Sequence, residues 1–167
     1  LRVLAPIITL LYAEGLRGAF DPAQRDKELD GDGVAGEVLF PDADAITGGA
    51  SPPFGAGLSA ADIADPELAF AGARAHNRFL AELCSHSPER RAGVALVPIT
   101  HDVDRAVSEI EWAATNGVRG GILVPTMWRG HKPYLDPSYE PVWAACAAHD
   151  MPVHTHSGSA PQDEYQE

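Results

Sequence analysis

The chain has 167 residues, 45% hydrophobic and 22% charged, a balance that supports a buried core and argues against disorder. Its 24 acidic and 12 basic side chains leave a formal charge of −12, which repels phosphate backbones and anionic bilayers and so removes nucleic acid and membrane from the expected partners. Lys and Arg cluster nowhere beyond the pair Arg90 and Arg91, so no basic stripe restores a nucleic-acid reading.

Residues 1–20 read as an irregular lead-in. The apolar run Ile7 to Ala13 soon meets Glu14 and Arg17 and is too short to span a bilayer, and the ordered regions of a signal peptide are missing, so a cytoplasmic location is expected. Asp21-Pro22 opens a first helix: an N-cap acceptor stands before a proline whose missing N–H is no loss at the first helical position. The stretch around Asp30-Gly31-Asp32-Gly33 can be set as a calcium loop with Asp26, Glu28, Asp30 and Glu37 as ligands. Glu28 stands where that pattern wants Asp or Asn, and Glu37 falls in a strand-like run; a tight turn is the preferred reading.

Val34 to Pro41 is the first strand, and Glu37 within it can serve as an interior acid or base or as half of a buried salt bridge. Residues 42–64 are too rich in Gly and Pro for a regular element, and form either a linker or a substrate loop at the carboxyl end of that strand. Asp65-Pro66 starts a second helix with Leu68, Ala71, Ala75, Phe79 and Leu83 as its expected apolar stripe. Ala92 to Ile99 is the second strand. Asp102 caps a third helix, with Val103, Val107, Ile110 and Ala114 inward and a stop at Asn116-Gly117. Val118 to Pro125 is the third strand. Asp136-Pro137 opens a last helix with Tyr139, Val142, Trp143 and Cys146 on one face and a stop near Asp150 to Pro152, and Met151 to Gly158 is the fourth strand.

Three of the four strands run into a proline, which suits the point where a strand leaves its sheet. Their near-continuous apolar runs suit parallel strands buried on both faces, and the alternation with helices points to βαβ units. The order alone does not separate a barrel from an open doubly wound sheet. A GxGxxG turn after a strand would mark the latter, and none is present. The chain is short for a complete eight-fold barrel of about 250 residues. It opens at Leu1 without a methionine and stops at Glu167 after a polar run, so both ends are expected to be cuts.

The chemistry concentrates in His154-Thr155-His156-Ser157-Gly158. Side chains alternate along a strand, so His154 and His156 share a face and can converge on one cation; the plain alternative is two hydrogen-bonded rings at a partly buried strand end. His101 and His131 follow strand ends and read as solvated loop residues within reach of a substrate. His76, His86 and His149 fall on or beside helices, where surface or capping roles are expected. Trp128 and Trp143 are packing residues, with Trp128 placed where it can line a pocket. Cys84 and Cys146 read as separate buried apolar positions. Ser157 lies in no GxSxG elbow, so no nucleophile constellation stands out.

Taken together, Asp21-Pro22 through Asp30-Gly31-Asp32-Gly33-Val34, GEVLFP, Ala75-His76-Asn77-Arg78-Phe79-Leu80, PERRAGVALVP, the Gly117 to Pro125 run, DPSYEPVWAAC and MPVHTHSG resemble the amidohydrolase-related family. That family includes aminocarboxymuconate-semialdehyde and resorcylate decarboxylases beside hydrolases. The resemblance implies an α/β fold, a partial TIM (β/α)8 barrel holding roughly strands two to five, in one incomplete domain over residues 1–167. It also implies one divalent metal at the strand carboxyl ends, zinc first and manganese or iron as alternatives. The family's ligands are an acid or His and a His on strand one, a His on strand five and an Asp on strand eight.

Matching MPVHTHSG to strand five places the ligand at His156, with His154 one pleat inward, packed beneath the site or close to ligands and substrate. The strand-one motif, the strand-six histidine and the strand-eight aspartate have no counterpart in these residues. The piece alone is therefore expected neither to hold metal tightly nor to turn over. For the intact protein the resemblance implies hydrolysis of a small organic substrate, with non-oxidative decarboxylation on the same metal site as the alternative. A non-catalytic binding or assembly module is a further alternative, and self-association is left open.

Overall fold

A computed structural model describes residues 17–41, 65–125 and 131–155. The 42–64 loop, Trp128, His156, Ser157 and most of the lead-in lie outside them; of the lead-in, Arg17–Ala19 forms a 3-10 turn. Helices α1 (Pro22–Gly31), α2 (Pro66–Ser85) and α3 (Val103–Thr115) each start on the expected aspartate. Asp21 accepts from the backbone N–H of Ala23 and Gln24, both at 3.1 Å; Asp65 accepts from Glu67 at 2.9 Å, and Asp102 from Arg105 at 3.0 Å. Each bond satisfies a donor that the first helical turn leaves open. Asp136 also caps, accepting from Ser138 at 2.9 Å, but the turn that it caps is 3-10 (Pro137–Tyr139), and α4 follows at Glu140–Ala148.

Helices α1, α3 and α4 share one device at their ends. Gly33 at φ +70° is followed by Val34, whose N–H returns to the Leu29 carbonyl at 2.8 Å. Gly117 at φ +82° is followed by Val118, which returns to Ala113 at 3.0 Å, and Asp150 at φ +52° by Met151, which returns to Cys146 at 2.9 Å. A left-handed residue lets the next N–H close onto a carbonyl of the last turn. The Asp30 to Gly33 stretch is thus the end of a helix. Asp26, Glu28 and Asp30 lie within α1, whose regular backbone cannot wrap a cation as a calcium loop does.

The strands are short, parallel and in chain order. β1 (Glu37–Leu39) pairs with β2 (Arg91–Gly93), and β3 (Ala95–Leu96) with β4 (Ile122–Leu123), which pairs with β5 (Val153–His154). β2 and β3 are one run that changes partners: Val94 donates to Leu39 at 2.9 Å, and Ala95 to Gly121 at 2.9 Å. A doubly wound sheet reverses strand order at its switch point. No such reversal occurs among the described strands, and the alternating helices and parallel strands fit part of an α/β barrel.

Register sorts the side chains. Ala95 and Ile122 lie across from each other and join Val97, Ile99 and Val124 against Ile110, Ala113, Val142 and Cys146 from α3 and α4. Full burial of one such aliphatic side chain contributes about 1.5–3 kcal/mol. Leu96, Leu123 and His154 are partners on the opposite face. Tyr139, Val142 and Cys146 are buried as expected, and both cysteines are buried and free.

The stripe expected on α2 is not the one that packs. Leu68 and Phe79 are exposed, as are Ala71 and Ala75, and of the five only Leu83 is buried; the packed face is Ala69, Phe70, Ala73, Asn77, Leu80, Leu83 and Cys84. Its centre is a polar residue, so apolar spacing settles on the wrong side of the helix. Asn77 is fully buried. Its Nδ2 donates to the Leu96 carbonyl and to Glu109 Oε1, both at 2.9 Å, and its Oδ1 accepts from the Leu96 N–H at 2.8 Å. Arg78 completes the group by pairing with Glu109 and lying 3.5 Å over the Trp112 ring.

Candidate functional site

In a parallel α/β fold, ligands bind at the carboxyl ends of the strands. Glu37 and Arg91 instead begin β1 and β2, directly across from each other. Arg91, 1% exposed, donates from Nε to Glu37 Oε1 at 3.1 Å, and from its second guanidinium nitrogen to Asp26 Oδ1 at 2.6 Å and to the Pro22 carbonyl at 3.3 Å. Arg25 donates from Nε to Glu37 Oε2 at 2.9 Å. Burial pushes the Glu37 carboxyl up, but hydrogen bonds from Arg25 and Arg91 outweigh it and hold the group below its ordinary value. Of its two expected roles, Glu37 takes the ion pair, and the network sits at the end of the strands associated with stability.

At the other end, β5 brings His154 to the face turned away from α3 and α4. Its Nε2 donates to the Gly120 carbonyl at 2.7 Å. A carbonyl only accepts, so Nε2 must carry the hydrogen. The ring also meets Phe40 edge to face, with centroids 5.1 Å apart and planes at 82°. Phe40 follows β1 and His154 ends β5, so this contact links the first described strand to the last. His154 pairs with Leu123, yet its ring reaches back to Gly120, three positions before that partner. It leans toward the amino end of β4.

Two glycines make room. Gly120 N–H donates to the Gly93 carbonyl at 2.8 Å, and a Cβ on Gly120 would lie 2.5 Å from that oxygen. Gly121 has φ +105°, and a Cβ there would overlap the Pro152 carbonyl oxygen and stand 3.0 Å from His154 Nε2. The sequence signal for this packing is the Gly-Gly pair before a strand, which marks close backbone approach.

His76, assigned to the surface by its place on a helix, instead lines a cavity of about 260 Å3 with Arg25, Leu39, Phe40, Phe79 and Leu80. Its Nε2 is buried with no hydrogen-bond partner among the described residues, and burial pushes its pKa down. The other helix-associated rings match their expected roles: His86 terminates α2 and contacts the Glu82 carbonyl through Nδ1 at 3.0 Å, and His149 terminates α4. His101 lies past β3, with Nδ1 3.2 Å from Thr100 Oγ1. Tyr134 packs against Tyr139 and Trp143, and its phenol is pushed up to about 12 by burial and the neighbouring Tyr139.

Among the described residues no group of three or more His, Cys, Asp or Glu side chains could hold a metal ion. The donors present do not make a metal site by themselves. His154, the one member of the His154/His156 pair within the described residues, has its Nε2 committed to a backbone carbonyl.

Comparison with known proteins supplies the context. No curated protein matches the chain. Several solved structures do. A 2,6-dihydroxybenzoate decarboxylase complexed with 2,6-dihydroxybenzoate is 25% identical, with a TM-score of 0.62 over 84% of this chain and 40% of its own. A 5-carboxyvanillate decarboxylase from Novosphingobium aromaticivorans, with bound manganese and 3-methoxy-4-hydroxy-5-nitrobenzoic acid, is 20% identical, with a TM-score of 0.65 over 86% of this chain and 36% of its own. A dihydroxybenzoic acid decarboxylase from a Polaromonas species, with bound manganese and 2-nitroresorcinol, is 23% identical, with a TM-score of 0.58 over 84% and 39%. The chain thus spans about 40% of the length of the first of these structures. A sequence profile described as amidohydrolase matches residues 20–166, nearly the whole chain, and the chain belongs to the amidohydrolase family.

Proposed function

We propose that the complete protein is a metal-dependent amidohydrolase-type enzyme acting on a small carboxylated or cyclic molecule, with non-oxidative decarboxylation as its first reading and hydrolysis as its second. The observation that carries this is the 25% identity, over most of the chain, to a decarboxylase complexed with a dihydroxybenzoate. The parallel strands in chain order support the match, and the strand runs correspond in this reading to strands two to five of an eight-stranded barrel. Residues 1–167 then form one incomplete barrel domain, with residues 42–64 as a loop at its ligand-binding end. No helix among the described residues is long and apolar enough to cross a membrane.

His156 is the proposed metal ligand, with the remaining ligands outside this chain. A divalent ion held there would supply Lewis acidity toward a substrate oxygen. Manganese is as well supported as zinc, since two similar structures hold it. His154, two residues earlier in the chain, turns its ring toward Gly120.

The decisive assay follows carbon dioxide release from 2,6-dihydroxybenzoate by the purified complete protein. Release supports decarboxylation; hydrolytic turnover of esters or amides without release supports the second reading, and neither activity would sink the proposal. His156→Ala in the same protein should remove most bound metal, by elemental analysis, and nearly all turnover. Unchanged metal content would remove His156 from the ligand set.

A further inference from the structure

We propose that His154 is a positioning residue, not a ligand: its imidazole ties the end of β5 to β4 and β1 and so fixes the strand end from which the chain runs on to His156. The proposal rests on the reading of His156 given above.

Three observations carry it. The first is a continuous hydrogen-bonded path across the strands. Gly93 accepts from the Gly120 N–H at 2.8 Å, and the Gly120 carbonyl accepts from His154 Nε2 at 2.7 Å. Both backbone groups of Gly120 are thereby held, the N–H by the end of β2 and the carbonyl by a side chain of β5.

The second is direction. The ring lies in register with Leu123 but bonds to Gly120, so Nε2 points away from the carboxyl ends. A donor aimed that way is not available to an ion at the carboxyl ends of the strands while the bond persists.

The third is the space reserved for the ring. Gly121 adopts φ +105°, and any side chain there would crowd both Pro152 and Nε2, while Phe40 closes the ring's other side. A glycine pair, a ring edge and a carbonyl acceptor together accommodate a flat N–H donor. An aliphatic side chain would fill the volume and leave the Gly120 carbonyl without its donor.

The test uses the complete protein with His154→Gln, which keeps an N–H donor, and His154→Leu, which does not. Three readouts apply: the Tm of metal-free protein, manganese binding by titration with the metal alone, and the ring N–H resonance in 15N-edited NMR. His154→Gln should bind one manganese per chain with near-native affinity and Tm. His154→Leu should lower Tm by roughly 3–8 °C and weaken manganese binding about tenfold at unchanged stoichiometry. The wild-type Nε2 proton should exchange slowly with solvent.

If His154→Gln loses the metal as completely as His156→Ala, His154 is a ligand and the proposal fails. It fails equally if His154→Leu matches wild type in Tm and affinity. Should His156→Ala leave the metal in place, the ligand assignment falls separately. The Tm loss in His154→Leu, its rescue by Gln and the protected ring proton would still uphold the tie, and their absence would overturn it.

Discussion

Asn77 does for Leu96 what a neighbouring strand would do. Both backbone groups of Leu96 on that side are met by one amide side chain from α2, which also binds Glu109. Asn77→Ala would leave a buried N–H, a carbonyl and part of a carboxylate without partners, a loss of about 2–4 kcal/mol measurable by urea unfolding. His76 acts in the opposite sense. Its native pKa is pushed below the ordinary 6.5 by burial, so protons bind the unfolded chain more readily than the native one. Stability should hold above pH 6.5 and fall as pH drops from 6.5 toward the native value. Denaturation series across that range should show a shallower fall for His76→Leu; parallel curves would refute the assignment. Neither role is legible in the sequence, because an asparagine and a histidine on a helix look the same whether they face water or the core. Glu37 is half legible: its place in a strand demands either a function or a counter-charge, and the partners Arg25 and Arg91 come from elements only the fold brings together.

Helix boundaries are the most legible elements, since caps are local chemistry. Asp21, Asp65 and Asp102 stand at the expected N-termini, and Gly33 and Gly117 at the left-handed stops. Asp150 takes the third such stop at φ +52° without glycine's freedom. Asp150→Gly should relieve that strain and raise stability by about 0.5–1 kcal/mol, seen as a higher unfolding midpoint, unless an aspartate contact compensates. The buried faces are less legible than the ends. On α4 the expected Val142 and Cys146 are buried and Trp143 is half-buried, whereas on α2 the packed face is interrupted by Asn77 while exposed Leu68 and Phe79 imitate a core stripe. The glycines at 120 and 121 announce close approach, but not that a histidine ring would use the space.

At the scale of the molecule, alternating strand and helix signals make the α/β class legible, and the motif order makes the family legible. The strand pairing is not, because it depends on contacts between segments distant in sequence. Val38, Phe40 and Val153 are exposed apolar side chains on or beside the outermost described strands. The edge-to-face contact of Phe40 with His154 also has a kinetic meaning. It joins the first described strand to the last, so its entropy of closure is large and is expected to be met late. In stopped-flow experiments Phe40→Leu should therefore leave refolding within about twofold of wild type and speed unfolding several-fold, making this one ring pair a reporter of the final step in which the arc of strands closes up.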